Sequence, residues 1–128
     1  VAYCFANTKG FFKSGVYSGN NSTNGPFINT GFEPALVIVK RYGANGYNWV
    51  MLDNKRSSAQ GFNPNDKWLY ANTNEAEANQ ASNPTDFLSN GFKLNNNGSY
   101  MNQDSDYLYM AWARESIVAS NGDPGTAR

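Results

Sequence analysis

Thr30-Gly31-Phe32-Glu33-Pro34-Ala35-Leu36-Val37-Ile38-Val39-Lys40-Arg41 is the stretch around which this chain is built. Five apolar residues, Ala35 to Val39, follow one another without a break. Successive side chains of a strand point to opposite faces, so Leu36 and Ile38 fill one face and Val37 and Val39 the other. A strand that is apolar on both faces belongs in the middle of a sheet, with material packed above and below it. A short buried helix is the competing reading. The β-branched residues and the flanking Gly31 and Pro34 argue against it.

A second stretch of the same kind lies near the C-terminus. In Asp106-Tyr107-Leu108-Tyr109-Met110-Ala111-Trp112-Ala113-Arg114, Tyr107, Tyr109, Ala111 and Ala113 share one face, and Leu108, Met110 and Trp112 the other. It too should be central, beside the first. Between them the turn Gly43-Ala44-Asn45-Gly46 leads into the apolar run Tyr47 to Asp53 and predicts an antiparallel hairpin. Asp86 to Leu94 reads as strand, turn, strand, and Asn97-Gly98 suits a type I′ hairpin turn. Further short strands are expected at 1–5, 9–18, 27–30 and 67–71. Asn72 to Thr85 is expected to be a loop that holds one helical turn at most. Eight to nine short antiparallel strands with little helix make an all-β chain, a β-sandwich or jelly roll. One domain spans 1–128, with 116–128 as a C-terminal tail packed through Ile117 and Val118. The chain starts at Val1 rather than Met, and the expectation is a C-terminal piece of a longer protein.

Composition narrows the function. Charged residues make up only 16% of the 128, with 10 basic and 10 acidic side chains and no net charge. No basic stripe stands out, which argues against nucleic acid and against an anionic membrane surface. No apolar run approaches the roughly 20 residues of a membrane-spanning helix. Histidine is absent and Cys4 is the single cysteine. The commonest general base, a disulfide framework and a Cys/His zinc site are thereby removed. Cys4 is expected to be a small buried hydrophobe. Polarity comes instead from amides: Asn fills about one position in six, far above ordinary usage.

The ordered set Thr30-Gly31-Phe32-x-Pro34 with its Val/Ile strand, the aromatic run Asn48 to Asp53, Asp86-Phe87-Leu88-Ser89-Asn90-Gly91-Phe92-Lys93, and Tyr107 to Ala113 resembles an uncharacterised C-terminal domain of tailed-bacteriophage virion proteins. Those domains are similar to concanavalin/laminin-G-like jelly rolls. The resemblance covers about residues 9 to 128. It implies a non-enzymatic structural role on the virion surface, in a tail fibre, spike or capsid decoration. The partners implied are other virion proteins, further copies of the chain (a trimer is the family expectation) and host surface carbohydrate. It supplies no catalytic residue.

Sugars present apolar C–H faces and many hydroxyls, so rings that stack and amides that hydrogen-bond are what a glycan site needs. The candidates are Tyr47, Trp68, Tyr70 and Tyr100, with Asn45 and Asn97 on adjoining turns. Trp68 is expected to be an exposed ring, and Trp49 and Trp112 core. Against this stands the plain reading that the rings are packing and the Asn residues turn chemistry. Asp104 and Asp106, in Asn102-Gln103-Asp104-Ser105-Asp106, place oxygens at alternate positions as calcium requires; a solvated turn is the competing reading. A carboxylate pair for glycan hydrolysis could be drawn from Glu33, Asp53, Asp66, Asp86, Asp104, Asp106 and Glu115, but nothing in the sequence pairs them. Adhesion to host glycan is the leading function. A free carbohydrate-binding module and a glycan-degrading domain follow in that order.

Overall fold

The computed structural model describes residue 2 and residues 4–59 and 63–115. Nine strands occur among them: β1 (Phe12–Ser18), β2 (Phe27–Asn29), β3 (Pro34–Arg41), β4 (Val50–Asp53), β5 (Lys67–Tyr70), β6 (Ala78–Asn79), β7 (Thr85–Leu88), β8 (Gly91–Leu94) and β9 (Asp106–Ala113). No helix is present among the described residues. Every strand pairing is antiparallel, in a six-stranded sheet ordered β1-β9-β3-β4-β5-β6 and a three-stranded sheet ordered β2-β8-β7. The two sheets pack face to face as a β-sandwich, as the alternation of apolar residues predicts.

The two doubly apolar strands are neighbours. β3 and β9 run side by side at the centre of the large sheet, Val37 opposite Ala111 and Val39 opposite Tyr109. The register shifts between Pro34 and Leu36. This bulge turns Pro34 to the core side, where alternation alone would have put it on the other face with Leu36. The hairpin across 43–46 is present, with Val39 opposite Val50. Gly46 takes φ 85° in that turn, a backbone region that costs a residue with a Cβ about 1 kcal/mol.

The core lies between the sheets. Val37, Val39, Val50, Leu52, Trp68, Tyr107, Tyr109 and Ala111 come from the large sheet, and Ile28, Phe87, Phe92 and Leu94 from the small one. The small sheet covers one face of the large sheet only. Leu36, Ile38, Leu108, Met110 and Trp112 on the other face are half-buried. There Phe5 packs on Phe12, ring centroids 5.5 Å apart, and Phe12 on Trp112 at 5.0 Å. An open groove of about 450 Å³ on this side is lined by Phe5, Ser14, Ile38, Trp49, Leu108 and Met110.

Four local expectations change. The stretch 1–5 supplies no strand among its described residues, and Cys4 is exposed rather than buried. Residues 72–85 hold no helical turn; the short strand β6 pairs there with β5. Asn97-Gly98 closes no hairpin, because the chain leaving β8 crosses to the other sheet to begin β9. Trp49 and Trp112 lie half-buried on the outer face, while Trp68 is 1% exposed and belongs to the core. The expected tail at 116–128, with Ile117 and Val118, lies outside the described residues.

β1 is an edge strand. Its odd-numbered residues face β9: the Phe11 carbonyl accepts from Ala113 N, and Gly19 N donates to the Ser105 carbonyl. The even-numbered residues therefore turn their backbone groups outward. Phe12 and Thr8 exchange two backbone hydrogen bonds of 3.0 Å each. The Asn7 side chain occupies the next rung, its Oδ1 accepting from Ser14 N at 2.8 Å. Half of the open edge is thus covered by the preceding segment.

Phe92 is fully buried and meets Tyr17 and Tyr109 edge-on. Phe92→Ala is expected to lower unfolding free energy by about 3–5 kcal/mol, and the exposed Val16→Ser to change it by less than about 0.5 kcal/mol, both read from urea denaturation. A Cβ at Gly91 would run into the Ile28 carbonyl across the β2–β8 pair. Gly91→Ala is expected to cost about 2 kcal/mol or more in the same assay.

Candidate functional site: a tyrosine platform above Arg41

Four of the six glycan candidates come together at one end of the sandwich. Tyr100, on the loop between β8 and β9, is the hub. Its ring lies 5.3 Å from Tyr47, nearly perpendicular to it, 5.7 Å from Tyr70 and 6.1 Å from Trp68. Trp68 forms the floor; Tyr47, Tyr70 and Tyr100 are half-buried and form the rim. Asn45 and Asn97 remain exposed on the loops that carry Tyr47 and Tyr100, and neither hydrogen-bonds to the rings. The hydroxyls of Tyr47, Tyr70 and Tyr100 make no hydrogen bond among the described residues, so three oxygens at the rim are free to meet a ligand.

The loop under Tyr100 is fixed from below by the sheet. Tyr17 donates to the Met101 carbonyl at 2.8 Å. Tyr107 accepts from Gln103 N at 2.9 Å, and its hydroxyl lies 3.3 Å from the carbonyls of Ser99 and Gln103. Arg41 Nη1 donates to the Ser99 carbonyl at 3.0 Å and to Gln103 Oε1 at 2.8 Å. The fully buried Asn102 side chain ties the same loop to Asn20, Ser22 and Asn96. Part of the Asn excess is therefore interior bonding rather than turn chemistry. A platform whose backbone is bonded on both sides loses little freedom when it binds.

Arg41 was not among the sequence candidates. It lies at the end of β3, on the same face as Val37 and Val39, and is 8% exposed. Its guanidinium carbon stands 4.3 Å from the centroid of Tyr47. The signal was available in the parity of the strand: an arginine two residues beyond Val39 on a central strand must face the core.

The other candidates do not assemble. Asp104 and Asp106 are both exposed, and Asp106 Oδ1 accepts from Ser18 Oγ at 2.8 Å. Among the described residues no three His, Cys, Asp or Glu side chains group in a way that could hold a metal ion. Several of the carboxylates are engaged separately: Glu33 with Arg114, Asp53 with Arg56, Asp86 with Asn95. The groove on the outer face offers a sugar little but apolar surface and Ser14; ligand sites need convergent polar groups as well.

Buried tyrosines give the site a pH limit. Burial, with the neighbouring Tyr107 ring, raises the Tyr17 hydroxyl well above its ordinary value. Burial raises Tyr107 as well, against the opposing pull of the Arg41 charge and the Gln103 N–H. Burial also raises Tyr109, and Tyr70 with the help of Tyr100 and Glu75. These groups stay protonated in the fold after they ionise in the unfolded chain, so their contribution is complete below about pH 10 and is lost above it. Melting temperature is expected to fall steeply above about pH 10. At the acid end burial raises the Asp66 carboxyl, but hydrogen bonds from Ser58 and the Lys67 charge outweigh it and leave it below its ordinary value. That contribution is present above about pH 4 and fades as pH falls further. A melting series across pH 3 to 11 measures both limits.

No curated protein and no solved structure matches this chain. A family model does, over residues 1–116, and it covers all of the described residues. The chain therefore belongs to the family described as Domain of unknown function (DUF7483).

Proposed function

We propose that this domain is a non-enzymatic surface module of a bacteriophage virion, which holds the particle to host glycan through the tyrosine platform. The observation that carries the glycan reading is the gathering of Tyr47, Tyr70 and Tyr100 into one half-exposed rim over Trp68. Such a rim offers ring faces and edges to sugar C–H groups and hydroxyls to sugar oxygens. The virion setting is supported by the ordered residue pattern from Thr30 to Ala113 and its resemblance to tail-fibre and decoration domains.

The absence of net charge suits a surface that works in many copies without ionic sticking. In this reading each single contact is weak. Repetition of the domain on a particle or an oligomeric fibre supplies the strength, since tethered copies raise the effective concentration of the next contact.

A glycan array is expected to return binding to a subset of saccharides, and a flat response removes the adhesive role. Tyr47 is not part of the core cluster, so Tyr47→Ala is expected to keep the native melting temperature within a few degrees and weaken binding about tenfold or more. Unchanged affinity would place the ligand elsewhere.

A further inference from the structure

A guanidinium can grip a planar anion along an edge formed by two parallel N–H groups. Among the described residues, Arg41 bonds through one nitrogen only. Nη1 makes both bonds, to the Ser99 carbonyl and to Gln103 Oε1. Nε is buried with no acceptor, and Nη2 bonds to none of the described residues. The Nε and Nη2 protons point the same way, so one complete two-pronged edge has no partner among the described residues.

The charge also has no ion-pair partner among the described residues. The ion pairs among the described residues are Arg56 with Asp53 and Glu77, and Arg114 with Glu33. None involves Arg41. A cation this deeply placed ordinarily has a carboxylate beside it. What stands beside it here is the Tyr47 ring, 4.3 Å from the guanidinium carbon, and Tyr47 meets Tyr100 at the rim.

We infer that the platform takes an acidic saccharide of the uronate type, with its carboxylate on the Nε/Nη2 edge of Arg41 and its ring against Tyr47 and Tyr100. The inference rests on the glycan reading and narrows it. A carboxylate suits the site because it is planar, carries two acceptors at the spacing of the fork, and supplies a charge that the described residues do not place there. A neutral sugar would satisfy the rings and leave the cation unpaired.

The test is an array in which uronate-containing oligosaccharides are printed beside their carboxyl-reduced counterparts, read at low and high ionic strength. The acidic member of a pair is expected to bind about tenfold tighter or more, with the difference shrinking as salt rises. Equal binding to both members overturns the acidic inference and leaves the glycan platform standing. No binding to either overturns both. In the unaltered protein, the NMR signal of the Arg41 Nε–H is expected to shift on titration with the acidic member and not with the reduced one. Binding of the acid without that shift places the anion elsewhere and overturns the assignment to Arg41.

Discussion

The pairing of β3 with β9 is the constraint from which the rest follows. It places two strands, each apolar on both sides, next to one another in the middle of the large sheet. One face of the pair, Val37, Val39, Tyr109 and Ala111, is what the small sheet closes over. Burying side chains of this size contributes about 1.5–3 kcal/mol each for the larger ones, so this register is strongly specified. A slip of β3 by one residue would turn Leu36 and Ile38 to the core and Val37 and Val39 away from it.

The same ladder sets the site. Arg41 lies opposite Tyr107, and both reach the loop that carries Tyr100. Platform and core are therefore not independent: the strand that fills the interior ends in the cation that organises the rim. Arg41 is costly to bury, and its partners make up part of that cost with two carbonyl-type acceptors and an aromatic face.

The sandwich, the central pair, the β3–β4 hairpin and the β7–β8 unit were legible from alternation and turn chemistry. The tryptophans are sorted by the parity of their positions, not by how short or how central their strands are. Trp68 shares its face with Tyr70, whereas Lys67 and Leu69 point the other way; Trp49 shares its face with Asp53, and Trp112 with Asp106. For Trp49 and Trp112 the charged neighbour at even spacing marks the wetter side; for Trp68 the charged Lys67, at odd spacing, marks the opposite face as the wetter one. Asn97-Gly98 misled for another reason: a local turn preference carries no information about which sheet the next strand joins. The gathering of Tyr47, Tyr70 and Tyr100 was foreseeable as residue type and not as geometry, because it depends on two loops and the end of β5 meeting in space.

The cover over the outer rungs of β1 has a wider meaning. A sheet margin with bare amides is an invitation for identical molecules to line up into ribbons, and the danger grows with local crowding. Asn7 imitates a neighbouring strand with a side chain, and Thr8 does so with backbone, so the molecule brings its own end-stop. Along the covered half of β1, a strand from a second copy finds its place already taken.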